Sequence, residues 1–310
     1  MVEFDAIEEA HRRIAPFVHR TPVISSRTLD HWLDTQAFLK CEHLQRVGAF
    51  KYRGATNAVQ SLPADAAARG VAAHSSGNHG AALALAAATR GVPAHVVVPR
   101  TATRSKRDAI AAYGAHVVQC EPTLAARVAG VAEVIARTGA VEVHPYDNDD
   151  VIAGAGTAAL ELVDEVPGLD VVIAPVGGGG LLSGTAIAAH GRRPDLRVIG
   201  AEPAAADDAA RSLQAGEIVT PGPPATIADG LLTGLAPRTF AVISEHVETI
   251  VTVSEAEIVE ALHIVWQRTK QVIEPSAAVA IAAVRRGDYA GARVGIILSG
   301  GNVDLALAAR

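Results

Sequence analysis

Short runs of β-branched and other apolar residues recur along this 310-residue chain, and alanine-rich segments separate them. The clearest runs are residues 71–73, 95–98, 116–118, 171–176, 198–201 and 294–298. Strands without alternating polar residues are typical of a parallel sheet that helices cover on both faces. The sequence therefore predicts an α/β fold built from parallel sheets.

Composition excludes several classes of partner. The chain has 27 basic and 33 acidic residues, a net charge of −6, and only 4% aromatic residues, which argues against a nucleic-acid-binding surface. Its longest small apolar stretch, residues 81–88, is far shorter than the ~20 residues that a membrane span needs. The acidic start and the isolated Cys41 and Cys120 suggest a reducing compartment. We therefore expect a cytoplasmic protein with neither nucleic-acid nor membrane partners.

Four consecutive glycines, at 177–180, follow the apolar run 171–176 and precede a helical segment. Backbone N–H groups can converge on an anion there, because no Cβ intervenes and the helix start is electropositive. A plain tight turn is the alternative, but it would not need four residues so costly to order. Leu182 and Ser183 stand where a dinucleotide-binding motif requires its last glycine, and no P-loop motif is present. This loop therefore predicts a site for a small phosphorylated cofactor.

Lys51 follows Phe50 and lies between Gly48 and Gly54. A lysine among small and aromatic residues can lose solvation, which favours the neutral amine that forms a Schiff base. A solvated surface lysine is the alternative interpretation.

A second turn, at residues 75–79, follows another apolar run and reads Ser-Ser-Gly-Asn-His. Such residues at a helix start can bind a carboxylate or phenolate oxygen, or can simply cap the helix. Taken together, the lysine and the two turns suit pyridoxal phosphate (PLP) and an amino acid.

Four segments resemble the fold-type II PLP enzymes, specifically the serine/threonine dehydratase and serine racemase group. They are residues 48–55, 75–79, 175–180 and 298–304, and they occur in the family's order over nearly the whole chain. The resemblance implies a two-domain, tryptophan-synthase-β-like architecture with helices on both faces of its parallel sheets. It also implies a large PLP-binding domain of residues 1–49 and 146–310, a small domain of residues 50–145, and a homodimer.

The resemblance also implies roles for individual residues. Lys51 would bind the cofactor covalently and later remove the Cα proton, and Ser76 would be the second catalytic residue. The implied cofactor-binding residues are Phe50, Lys51, Asn78, Gly177, Gly178, Gly179, Gly180 and Ser299. The implied substrate-binding residues are Ser75, Ser76, Gly77, His79, Tyr113 and Arg127.

Ser299 would face the pyridine nitrogen, and a hydroxyl there does not enforce a protonated ring. This favours loss of a β-hydroxyl, so we expect an L-threonine or L-serine dehydratase that releases a 2-oxo acid and ammonia. Tyr146, where mammalian racemases have Asn, also favours elimination. The alternatives are a serine racemase with side dehydratase activity, a 3-hydroxyaspartate dehydratase, and a non-catalytic module that binds PLP or amino acids. The sequence just before Lys51 is similar to that of the hydroxyaspartate dehydratases.

An acidic segment that begins at Glu202 resembles the divalent-cation site of part of this family. The resemblance implies Glu202, the backbone carbonyl of Ala206 and Asp208 as ligands. Oxygen ligands of this kind suit Mg²⁺, Ca²⁺ or Mn²⁺. A solvated acidic helix start is the alternative.

Overall fold

The computed structural model describes residues 2–223 and 225–304, so the final residues of the predicted large domain, 305–310, lie outside the described part. The strands are β1 (Val23–Ile24), β2 (Gln36–Lys40), β3 (Val71–His74), β4 (Ala94–Pro99), β5 (His116–Cys120), β6 (Val141–Glu142), β7 (Val171–Pro175), β8 (Arg197–Pro203), β9 (Thr249–Val253) and β10 (Arg293–Ile297). The helices are α1 (Phe4–Ile14), α2 (Arg27–Leu33), α3 (Lys51–Ser61), α4 (Ala64–Ala68), α5 (Asn78–Arg90), α6 (Arg104–Ala112), α7 (Leu124–Thr138), α8 (Asp149–Glu165), α9 (Gly180–Arg192), α10 (Asp208–Ala215), α11 (Pro237–His246), α12 (Glu255–Thr269) and α13 (Pro275–Arg286). None of these helices is long and apolar enough to cross a membrane.

The strands form two sheets. One has six strands in the order β1-β2-β10-β7-β8-β9, and the other has four in the order β5-β4-β3-β6. Within the described part of the chain, neighbouring strands pair in parallel except for β1 with β2. The predicted α/β class is confirmed.

The four-stranded sheet lies within the range predicted for the small domain, since its strands fall between residues 71 and 142. The strands of the six-stranded sheet all lie outside that range. The exact domain boundaries stay a prediction.

Apolar clusters cover both faces of the six-stranded sheet. Val172 and Ala174 of β7 belong to the cluster that contains α8 and α9, whereas Val171 and Ile173 belong to the cluster that contains α12 and α13. Successive residues of a strand point to opposite faces, so a strand between two helical layers must be apolar throughout. This explains the continuous apolar runs in the sequence.

Helix α3, which begins at Lys51, packs closely on α8. A Cβ on Gly154 of α8 would lie 2.7 Å from both the carbonyl oxygen of Arg53 and the Cα of Gly54. Glycine is therefore needed at this crossing, because any side chain would push the two helices apart.

A buried network of charges ties α3 to its neighbours. The guanidinium of Arg53 contacts the carboxylates of Glu42 and Glu161, with N–O distances of 2.7–2.9 Å. Lys40 Nζ lies 2.7 Å from Glu161 and also donates to the carbonyl oxygen of Thr21. Burial alone would raise the pKa of Glu161, but hydrogen bonds from His11 and Arg53 and the nearby positive charges bring it below its usual value. Two cations thus balance two anions in the interior.

Arg53→Ala should be strongly destabilising, because it leaves two carboxylates buried without their main partner. We expect a loss of about 3–5 kcal/mol in the free energy of unfolding, measured by chemical denaturation. Arg104→Ala is the control, since Arg104 forms an exposed pair with Asp108 and should cost less than about 1 kcal/mol. A loss below about 1 kcal/mol for Arg53→Ala would contradict this account.

Candidate active site

The start of α3 lies directly beside the C-terminal motif. Phe50 N donates to the carbonyl oxygen of Ser299 at 3.0 Å, and Gly301 N donates to that of Gly48 at 2.9 Å. Val47, just before Gly48, adopts a positive φ of 56°, which is unusual for a β-branched residue, and Asn302 Nδ2 donates to its carbonyl at 2.7 Å. These bonds bring Lys51 and Ser299 together, although they are far apart in the sequence.

The amine of Lys51 is partly buried. Its Nζ donates to the carbonyl oxygen of Pro145 at 2.8 Å and lies 5.1 Å from the centroid of the Phe50 ring. Loss of solvation lowers the pKa of Lys51 to about 8. A substantial share of this amine is therefore neutral near pH 8, as a nucleophile or base requires.

The four glycines form the turn between β7 and α9. Gly179 has a φ of 88°, a conformation that favours glycine, and a Cβ on Gly178 would overlap the ring of Tyr146. A Cβ on Gly180 would lie 2.9 Å from the Cβ of Tyr146. Because no side chain fits, only backbone N–H groups and the start of α9 can hold an anion here, which suits a phosphate.

The turn at 75–79 joins β3 to α5. Ser75, Ser76 and Gly77 are partly buried, and Gly77 N donates to Ser75 Oγ at 3.3 Å. Asn78 is the first residue of α5. This helix start has no side-chain cap bond, which leaves the turn suited to an external carboxylate.

Asn78 belongs to a ring of hydrogen bonds that the sequence did not predict. Its Nδ2 lies 3.0 and 3.2 Å from the two carboxylate oxygens of Glu274, and its Oδ1 accepts from Asn302 Nδ2 at 2.9 Å. Asn302 N donates to Glu274 at 3.1 Å. Burial raises the pKa of Glu274 to about 7, against the lowering effect of the Asn78 bond. Glu274 thus orients the Asn78 amide. The sequence signal that could have revealed it is an acidic residue that stands among apolar residues just before Pro275.

Histidines that are mainly neutral surround Lys51. Burial lowers the pKa of His79 to about 3, helped by the charge of Lys51, and lowers that of His144 to about 4. The His144 ring lies 4.7 Å from that of Tyr146 and 6.1 Å from that of His74. The His79 ring nitrogen Nε2 lies 2.9 Å from the Val143 carbonyl oxygen, so a contact between His79 and a substrate carboxylate would come from its backbone N–H.

Arg127, on α7, brings a positive charge to this site. The pKa of His74 is lowered by burial and by the charge of Arg127, so the guanidinium lies within electrostatic range of His74. Arg127 Nε is buried and has no hydrogen-bond partner among the described residues. A buried guanidinium nitrogen without a partner suits an anionic ligand.

Tyr113 is less closely tied to the site. It lies at the end of α6 and packs, partly buried, on the apolar cluster of the four-stranded sheet. No contact in the described part of the chain links it to Lys51, so its role stays a prediction.

The predicted cation ligands lie in and beside the short segment between β8 and α10, near enough to Tyr146 that the charge of Asp208 contributes to the raised pKa of this tyrosine. The Glu202 carboxylate accepts from Ala209 N at 3.0 Å and Ala210 N at 2.9 Å, while Asp208 Oδ2 is buried without a partner in the described structure. Burial raises the pKa of Glu202 to about 8 and that of Asp208 above its usual value. Ala206 lies in a short 3-10 turn between them.

Two buried carboxylates of this kind suit a cation. No group of three His, Cys, Asp or Glu side chains among the described residues could hold a metal, so backbone and water ligands would have to complete the shell.

Comparisons with known proteins agree with this geometry. Residues 14–300 match the family described as "Pyridoxal-phosphate dependent enzyme". A β-hydroxyaspartate dehydratase from Paracoccus denitrificans is 49% identical over 96% of this chain and 95% of its own. The crystal structure of serine racemase from Dictyostelium discoideum is similar with a TM-score of 0.95 and 47% identity, covering 98% of this chain and 99% of that one. The crystal structure of a threonine deaminase from T.th. has a TM-score of 0.92 and 44% identity, covering 97% of this chain and 99% of that one.

These matches confirm the predicted cofactor, the two-domain fold type and the enzyme class, which covers elimination and racemisation. They leave the roles of individual residues, the cation and the homodimer as predictions. The chain belongs to the pyridoxal-phosphate dependent enzyme family, in the fold-type II group of dehydratases and racemases.

Proposed function

We propose that this enzyme removes water from 3-hydroxyaspartate, with hydrolysis of the released enamine giving a 2-oxo acid and ammonia. L-Serine and L-threonine, which we expected first from the sequence, become secondary substrates. The observation that carries this choice is Arg127, whose buried Nε has no partner in the described structure and whose charge acts on His74 beside the site. A guanidinium recognises a second carboxylate, and neither serine nor threonine has one.

The residues present fit PLP. The glycine loop at 177–180 would hold the phosphate, Asn78 the 3′ oxygen and Ser299 the pyridine nitrogen, with Phe50 beside the ring. Glu274 would keep the Nδ2 of Asn78 in place for this contact, since it accepts from that atom. When bound, PLP supplies the electron-withdrawing ring that makes the substrate Cα–H acidic.

Lys51 would bind the cofactor covalently and, once released, accept the Cα proton at Nζ. Its lowered pKa supports this role, because a base must be neutral to accept a proton. The Pro145 carbonyl orients the amine, and the neighbouring histidines add little positive charge because burial keeps them neutral. The backbone around Ser75, Ser76, Gly77 and His79 would receive the α-carboxylate.

Racemisation of serine is the second candidate. Ser76 lies in the turn after β3, where it could donate a proton to Cα on the face opposite Lys51, and the serine racemase of Dictyostelium discoideum has nearly the same fold. Tyr146 supports elimination instead, since its ring packs on the glycine loop where mammalian racemases carry Asn. Measuring D-serine beside 2-oxo acid separates the two activities.

We also propose a homodimer. Exposed Leu44 and Val272 flank the hydrogen bond between His43 and Gln271, and a second copy could cover this apolar surface. The cytoplasmic location stays a prediction.

Arg127→Gln should separate the substrates. We expect kcat/KM for 3-hydroxyaspartate to fall at least roughly 100-fold, because a buried charge pair is lost, while the value for L-serine changes by less than about threefold. Arg137→Gln is the matched control, since Arg137 is exposed at the other end of α7. An equal fall for both substrates would place Arg127 on the α-carboxylate and overturn the substrate choice. No 2-oxo acid from any β-hydroxy amino acid would instead overturn elimination itself.

Capture of PLP by the apoenzyme should follow the titration of Lys51. Its pKa is lowered, so the neutral amine becomes dominant above about pH 8 instead of about pH 10.5. The second-order rate of PLP binding, followed by absorbance, should therefore rise with a midpoint near pH 8 and level off about one pH unit higher. The reaction of PLP with Nα-acetyl-lysine is the control for the titration of PLP itself. The Lys51→Ala variant should show neither the absorbance of bound PLP nor enzyme activity. A midpoint near pH 10 for the enzyme would refute the assignment.

We further propose a divalent cation at Glu202, the Ala206 carbonyl and Asp208, supported by the Asp208 Oδ2 that lacks a partner among the described residues. Mg²⁺, Ca²⁺ or Mn²⁺ at 100 times its dissociation constant should stabilise the enzyme by about 2.7 kcal/mol, seen as a higher melting temperature. Asp208→Asn should abolish this gain, whereas Asp207→Asn, at a more exposed acid paired with Arg211, should retain it. No stabilisation of the wild type by any of the three ions would rule the site out.

A further inference from the structure

Two histidines meet at the ends of two packed helices, away from the active site. His190 lies in the last turn of α9 and His246 is the last residue of α11. The helix rise places His190 about 15 Å along α9 from Gly180 of the glycine loop. The Nδ1 atoms of the two rings are 3.4 Å apart, and the ring planes are inclined by 66°.

This separation is long for a hydrogen bond, because N–H donors typically lie about 2.7–3.2 Å from their acceptors. It fits two ligands of one metal ion better. Nitrogen atoms that each lie about 2.0–2.1 Å from a tetrahedral zinc ion are about 3.4 Å apart. The two Nδ1 atoms are therefore already at the spacing of a chelating pair.

The hydrogen bond of the His190 ring leaves its Nδ1 free to bind a metal ion. Nε2 of this ring lies 3.0 Å from the carbonyl oxygen of Leu196 and must carry the proton, so a neutral ring has its lone pair on Nδ1. Metal-binding histidines usually direct their second nitrogen to a carbonyl or carboxylate, as Nε2 of His190 does here.

The pair borders an open cleft of about 270 Å³, which leaves room for an ion and its waters. The nearby carboxylates of Asp195 and Glu248 are paired with Arg193 and Arg197. Since no third His, Cys, Asp or Glu joins such a group within the described structure, water would fill the other coordination positions.

We propose that His190 and His246 bind one divalent transition-metal ion of the zinc class through their Nδ1 atoms. Imidazole ligands suit Zn²⁺, Cu²⁺ and Ni²⁺, whereas the oxygen ligands around Glu202 suit Mg²⁺. The site is therefore separate from the proposed cation site at Glu202 and independent of the proposed substrate.

Calorimetric titration of the PLP-loaded enzyme with ZnCl₂, in excess Mg²⁺ to occupy oxygen-ligand sites, tests the proposal. The wild type should bind one more Zn²⁺ per chain than either His190→Gln or His246→Gln, or should bind that ion at least tenfold more tightly. His116→Gln is the matched control, because His116 stacks on His95 with ring centroids 5.2 Å apart in another histidine pair. This control should bind Zn²⁺ as the wild type does.

A spectroscopic readout keeps the test decisive if His190→Gln fails to fold. Electron paramagnetic resonance of bound Cu²⁺ should show coupling to two imidazole nitrogens in the wild type and to one in His246→Gln. Equal Zn²⁺ binding by the wild type and His246→Gln, or no Zn²⁺ binding by the wild type, would overturn the proposal and leave the pair as a weak hydrogen bond.

Discussion

The buried charges around Arg53 hold the element on which the site depends. Arg53 lies two residues after Lys51, and its guanidinium joins Glu42, just after β2, to Glu161 of α8. A displaced guanidinium would leave buried carboxylates unpaired, so the helix that carries Lys51 has little freedom to rotate or slide. Hydrophobic contacts bring α3 and α8 together, whereas the charges select one register between them. We therefore regard this network as a source of positional specificity more than of stability.

On this framework, parallel topology assembles the site. The turn at 75–79 follows β3, the glycine loop follows β7, and Ser299 follows β10. All three segments leave the carboxyl ends of parallel strands, where ligand sites of α/β proteins form. Lys51 is the exception, because it begins a helix and is held by the bonds of Phe50 and Gly48 to the segment after β10. The parallel topology thus brings together the turns at one edge of the sheets, whereas hydrogen bonds to the segment after β10 position Lys51.

This division explains what could be predicted from the sequence. The runs that became β3, β7 and β10 are apolar because helices cover both faces, and the turns after them were visible by residue type. Edge strand β9 was missed, since two threonines stand among its apolar residues and three of its five residues are not fully buried. Glu274 and Pro145 were also missed, because their partners Asn78 and Lys51 lie 196 and 94 residues away. Contacts at such separations depend on tertiary structure, which local patterns do not encode.

The distribution of charge connects this architecture to substrate choice. Burial keeps His79 and His144 neutral, and desolvation favours the neutral form of Lys51 at mildly basic pH. Arg127 supplies a positive charge that acts on His74, next to the turn at 75–79. Under the proposed function, a dicarboxylic substrate would meet this charge from α7, while the turn at 75–79 would offer backbone N–H groups to the other carboxylate. Under this proposal, the two carboxylates of the substrate would thus contact elements from different segments, and the lowered pKa of Lys51 would favour a neutral base at mildly basic pH.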